Sequence, residues 1–134
     1  MPTSKTEMSV YVTRHYCQPT SYLERMTMRV DGFASVWGPY AGGTMTTHPF
    51  TFEGDDLLLN ISTSGIGEAR VAVLDETGTP LPGYRLEDCL PVYGDAIEKR
   101  VQWKDDRRIG AHAGRVVRLR FALNDADLYA LRIR

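Results

Sequence analysis

Along most of this chain the apolar side chains recur at every second position, the period of a strand that buries one face and wets the other. The pattern is clearest from Arg115 onward. Val117, Leu119, Phe121 and Leu123 fall on one face, with Arg118, Arg120 and Ala122 on the other. From Asp127 to Arg134, Tyr129, Leu131 and Ile133 alternate with Leu128, Ala130, Arg132 and Arg134. A three-residue loop at Asn124-Asp125-Ala126 makes the two segments a hairpin, pairing Phe121 with Tyr129, Leu119 with Leu131 and Val117 with Ile133. A loop one residue shorter or longer sets apolar side chains opposite arginines. The same register gathers Arg118, Arg120, Arg132 and Arg134 on the outer face.

A second hairpin is signalled by Asp31-Gly32, which pairs Val30 with Phe33, Met28 with Ser35 and Met26 with Trp37. Further strands are predicted over residues 9–16, 44–52, 57–63, 69–75, 84–88 and 97–103. Turn chemistry separates them at Gly42-Gly43, Glu53-Gly54-Asp55, Gly65-Ile66-Gly67, Thr77-Gly78 and Pro82-Gly83. About nine short strands at regular spacing predict an all-β fold, a two-sheet antiparallel sandwich of jelly-roll type. The expected core is Val30, Phe33, Phe50, Leu59, Val71, Val73, Val101, Trp103, Val117, Leu119, Phe121, Tyr129 and Leu131. Residues 1–8 read as a lead-in and residues 9–134 as a single domain.

Composition fits this picture without narrowing it. The chain has 134 residues, 43% apolar and 25% charged, ordinary values for a soluble globular domain. A net charge of −1 recommends neither nucleic acid nor a membrane surface as partner. No apolar run approaches the roughly 20 residues of a membrane helix. Met1 to Glu7 lack the apolar stretch of a signal peptide, which leaves the compartment open. Two cysteines, Cys17 and Cys89, are compatible with a bridge or with two free thiols.

Chemistry-bearing motifs are sparse. His15, His48 and His112 are far apart, in no metal-ligating spacing, so no transition-metal site is expected. Acid-rich turns at Glu53-Gly54-Asp55-Asp56, Glu87-Asp88 and Asn124-Asp125-Ala126-Asp127 offer oxygen ligands for a structural calcium, without the spacing of an EF-hand. Among the acids Asp55, Asp56, Asp88 and Asp95, nothing marks the flanking pair that glycoside hydrolysis needs. There is no GxSxG elbow, and Cys89 follows Glu87-Asp88, whose charges disfavour a thiolate. No residue is therefore assigned a catalytic role. The aromatic side chains are more informative, because a flat ring packs on the apolar face of a sugar. Trp37 shares a face with Met26 and Met28, and Trp103 shares one with Val101, so both read as core. Tyr40, before Ala41-Gly42-Gly43, and Tyr93, in Pro91-Val92-Tyr93-Gly94-Asp95, lie at loops. They are the candidate ligand-binding rings, with Asp95 and Arg100 as partners for sugar hydroxyls.

Several segments together resemble a known protein group. These are Ser9-Val-Tyr-Val-Thr-Arg-His-Tyr16, Leu23-Glu-Arg-Met-Thr-Met-Arg-Val-Asp-Gly-Phe33, Gly42-Gly43, Leu58-Leu-Asn-Ile-Ser62, Glu87-Asp-Cys89, Gly94-Asp95, Val101-Gln-Trp103 and Val117-Arg-Leu-Arg-Phe121. The chain, from about Glu7 to Arg134, resembles the C-terminal β-sandwich of bacterial glycoside-hydrolase-like proteins, which carry an invertase-like or sialidase-like β-propeller before it. The resemblance implies that the propeller holds the catalytic carboxylates, that residues 9–29 lead from the last blade into the sandwich, and that the parent protein is extracellular or periplasmic. The expected function is that of a non-catalytic accessory domain that steadies a propeller or binds glycan weakly. Two alternatives are a stand-alone hydrolytic or metal-dependent enzyme and a self-associating structural module using exposed strand edges.

Overall fold

The computed structural model describes residues 3–134. The chain is all-β, with two antiparallel sheets as expected of a sandwich-like fold. Among the described residues the only helical segments are two short 3₁₀ turns, Lys104–Asp106 and Ile109–His112. Among the described residues no helix is long and apolar enough to cross a membrane. The chain divides into two compact units, one ending at Ala34 and the other spanning Ser35–Arg134. Residues 1–2 of the expected lead-in lie outside the described residues.

The first unit is a hairpin of β1 (Glu7–Arg14) and β2 (Tyr22–Arg29). β1 thus begins inside the segment read as a lead-in. The register sets Met8 opposite Met28 and Val10 opposite Met26, with Val12 next along the same face. The other face carries Glu7 opposite Arg29 and Tyr11 opposite Arg25. Ion pairs close both ends, Arg25 to Glu7 at 3.0 Å and Arg14 to Glu24 at 2.6 Å. The hairpin expected around Asp31-Gly32 does not form. A turn is present, closed by Gly32 N–H donating to Arg29 O at 3.1 Å. Only Asp31 takes the left-handed conformation, φ 56°, whereas a two-residue type I′ hairpin needs both central residues there. β2 finds its partner in β1 instead. Phe33 and Trp37, expected in the core, are 72% and 63% exposed.

The second unit is one five-stranded sheet. Its strands are β3 (Val36–Gly38), β4 (Gly43–Thr46), β5 (Leu57–Leu74), β6 (Asp95–Arg100) and β7 (Arg118–Ile133). The order is β3-β7-β5-β6, with β4 also on β7. Two strands of 18 and 16 residues dominate it, where the turn signals predict four short ones. Asn124-Asp125-Ala126 is not a hairpin loop. Asp125 sits at φ 43° as a bulge while β7 runs on, with Asn124 opposite Glu68 and Ala126 opposite Thr63. Phe121 accordingly pairs with Val71 and Met45, not Tyr129. Gly65-Ile66-Gly67 likewise lies within β5, in the stretch looped out opposite Asp125. Residues 84–88, expected as a strand, are a turn.

Bulges also decide which side chains point inward. At Asp125 the buried set on β7 changes from Leu119, Phe121 and Leu123 to Ala126 and Leu128. Tyr129 is the extra residue at a second shift, after which Leu131 stands opposite Leu59. The two shifts cancel, so Arg118, Arg120 and Arg132 share the outer face as expected. Arg132 donates to Glu98 at 3.0 Å, and Arg134 lies 3.6 Å from the same carboxylate. The core is one cluster on the inner face of β5 and β7, closed by residues between β5 and β7 in sequence, including Tyr84, Val92, Val101, Trp103 and Ile109. Trp103 is fully buried, and its indole N–H donates to Val71 O at 2.9 Å. Tyr129 is only half-buried and Leu131 is 39% exposed, so neither is the core residue the hairpin register requires.

Candidate functional site

The register across β5, β7 and β4 builds a shallow groove on the outer face. Arg70 and Thr44 both stand opposite Ala122, and Glu68 stands opposite Asn124. Side chains opposite one another in an antiparallel ladder lie close together on one face. They therefore frame an open groove of about 510 Å³, also lined by Ala41, Gly42 and Gly43. Gly42 takes φ 85°, a conformation few other residues accept, and its N–H donates to Pro39 O at 2.8 Å. This tight turn brings the side-chain-free Gly42-Gly43 backbone to the rim.

Two polar side chains are held in place. Arg70 Nε donates to Glu68 Oε1 at 2.8 Å, and its Nη1 donates to Cys89 O at 3.2 Å. The Glu68 hydrogen bond outweighs partial burial and holds the guanidinium above its ordinary pKa. Asn124 Nδ2 donates to Tyr40 O at 3.0 Å, tying the groove to the loop that carries Tyr40. Tyr40 is 70% exposed and immediately precedes Ala41, the first of the residues lining the groove.

The remaining predicted site residues lie elsewhere on the sheet. Tyr93 precedes β6 and is 62% exposed, with the Lys99 ammonium 5.4 Å from its ring centre. Asp95 stands opposite Ser62 and Arg100 opposite Leu58, at the two ends of β6. Arg100 is paired with Asp56 at 3.2 Å, and the same carboxylate is 3.6 Å from Arg108. Tyr40 lies between β3 and β4, which both pair with β7, whereas Tyr93 precedes β6, which pairs with β5 at the other edge of the sheet. The structure thus does not bring the four residues into one site. It sets Tyr40 beside Glu68, Arg70, Thr44 and Asn124, none of which stands out in the sequence. Their convergence depends on pairing between positions more than 50 residues apart.

A second groove, of about 540 Å³, is lined by Leu90, Gln102, Trp103, Lys104, Asp105 and Asp106. Its polar side chains are engaged with neighbours. Gln102 donates to Asp106 at 3.2 Å, Arg107 lies 3.4 Å from Asp105, and Lys104 lies 3.9 Å from Asp88. Among the described residues no three His, Cys, Asp or Glu side chains are grouped as a metal site would need. His15 Nδ1 is 3.0 Å from Thr20 Oγ1, His48 is exposed, and His112 packs edge-on against Tyr84 at 4.5 Å. Cys17 and Cys89 are both free thiols, the first exposed and the second buried. Burial pushes the Cys89 thiol up to about 11, against the opposing Val71 N–H and Arg70.

Searches of family models, curated proteins and solved structures gave no match to this chain.

Proposed function

We propose that this chain is a non-catalytic accessory β-domain of a carbohydrate-active protein, and that it binds glycan weakly in the groove beside Tyr40. The observation that carries this reading is the groove itself. Ala122 and the side-chain-free Gly42-Gly43 backbone line it together with fixed polar groups, and the exposed Tyr40 immediately precedes the lining segment Ala41-Gly42-Gly43. Sugar recognition needs that combination of flat apolar contact and convergent polar atoms. Hydrolysis needs two carboxylates about 5 to 9.5 Å apart around the scissile bond. The groove is lined by one carboxylate, Glu68, already paired with Arg70. In this reading, the propeller domain implied by the sequence resemblance, and not this chain, carries the catalytic carboxylates.

The β1–β2 hairpin supports the other half of an accessory role. Met8, Val10, Val12, Met26 and Met28 share one face of a two-stranded sheet, and Met26 is 47% exposed. Two strands alone do not bury such a face. In this reading the face packs toward the propeller domain of the parent protein.

A glycan array probed with the purified chain tests the binding role. Tyr40→Ala is expected to abolish the signal and Tyr93→Ala to leave it. Equal binding by the Tyr40 variant would place the site elsewhere. Cleavage of a glycoside at an enzyme-like rate by this chain would overturn the non-catalytic reading.

A further inference from the structure

The side chains lining the groove leave an uneven set of hydrogen-bonding atoms unspent. Arg70 uses Nε on Glu68 and Nη1 on Cys89 O, and neither bond engages Nη2. Glu68 accepts through Oε1, which leaves Oε2. Asn124 donates through Nδ2, which leaves Oδ1 as an acceptor. Thr44 is exposed, and its hydroxyl both donates and accepts. A ligand that satisfies this rim brings hydrogen-bond donors for Glu68 and Asn124 together with an acceptor for Arg70. A carboxylate or sulfate brings acceptors only, and it meets the negative charge of Glu68. The next cation along the same face, Arg120, is engaged through Nε with Thr46 Oγ1 at 3.3 Å. A sugar hydroxyl donates and accepts at once.

We infer that the groove takes an uncharged, hydroxyl-rich saccharide unit between Arg70 and Glu68 and discriminates against uronic and other acidic sugars. The inference rests on the glycan-binding reading above and assigns its ligand class. Arg70 donates to one ring hydroxyl, and Glu68 accepts from that hydroxyl or its neighbour. The charge-assisted bonds are the stronger ones. The floor of Ala122 and Gly42-Gly43 lets the sugar face approach.

The test is an amide-resolved NMR titration of the full chain at low salt. The probes are xylo-, cello- and manno-hexaose and, as the acidic arm, a galacturonate oligomer of the same length. At least one neutral hexaose is expected to shift the amides of Gly42, Gly43, Arg70 and Asn124. The galacturonate should bind there about tenfold more weakly or worse. Glu68→Gln leaves Arg70 and Arg120 without a local carboxylate, so the preference should move by about tenfold toward galacturonate. Thr44→Ala does not touch the ion pair and should weaken neutral binding, which keeps the test open if the Glu68 variant folds poorly. Galacturonate binding at these amides as tightly as the neutral sugars overturns the inference and leaves the glycan reading standing. So does neutral sugar shifting only distant amides. If no saccharide shifts any amide, the glycan reading falls and the inference with it.

Discussion

Two side chains show how burial governs reactivity in this chain. Cys89 is 1% exposed, and its sulfur accepts from Val71 N–H at 3.3 Å. With its thiol held up near 11, almost no thiolate exists at pH 8. A thiol reagent on the native protein is expected to modify Cys17 alone, and a second equivalent should react only after unfolding; two fast equivalents would contradict this burial. His112 is the second case. Burial, then the charge of Arg115, holds its pKa below the ordinary histidine value, and neither ring nitrogen has a hydrogen-bond partner among the described residues. The folded state thus favours the neutral ring, while the unfolded chain takes up a proton near pH 6.5. This contribution to stability is full above that value and is lost as pH falls below it. The melting temperature should drop between pH 7 and pH 5, and His112→Phe should flatten part of the drop. An unchanged slope would remove the role given to His112. The burial of Trp103, Val71 and Phe121 is legible in the sequence because each lies in a segment of period two. The exposure of Phe33 and Trp37 is not, because it depends on which strand β2 selects.

Bulges explain most of what distinguishes the elements from their sequence pattern. Alternation identifies the strand segments on both sides of Asp125 and of Gly65-Ile66-Gly67. Turn-forming residues serve equally well in a bulge, since both need a left-handed or crowded backbone position. Local chemistry therefore cannot tell a chain that reverses from one that kinks and continues. The outer-face arginines were legible nonetheless, because two shifts of opposite effect restore the parity. The groove was not, since it requires Arg70, Ala122 and Thr44 to meet across three strands. Gly67 is the residue that permits this arrangement, because a Cβ there would overlap the Asp125 carbonyl oxygen and come within 2.8 Å of that of Asn124. Gly67→Ala is expected to cost about 1–3 kcal/mol in urea denaturation, the usual range for overpacking a tight contact. Because the displaced backbone belongs to Asn124 and Asp125, saccharide binding should weaken in the same variant. A wild-type midpoint would mean that the bulge yields without cost.

At the scale of the whole molecule, the division at Ala34 and Ser35 has a direct test. Every residue of the core cluster lies in the second unit. A fragment of residues 35–134 should therefore melt cooperatively and keep its dispersed amide spectrum. Residues 3–34, a lone hairpin, should show no folded spectrum on their own. A fragment 35–134 that is unfolded at 25 °C would show that its core is not self-sufficient. The all-β class was legible from alternation alone. The two-unit division was not, because no Gly-, Pro- or Ser-rich linker marks residue 34. The β5–β7 ladder also bears on kinetics. It joins Leu57 to Ile133 and Leu74 to Arg118, so its nearest pair is separated by more than 40 residues and its farthest by more than 70. Nothing in the sheet's centre can form until a loop of that size has closed, an entropic toll collected before any ladder bond is made. Such non-local topologies fold in milliseconds to seconds rather than microseconds. Throughout that interval the long apolar edges of both strands stand open to strands of other molecules.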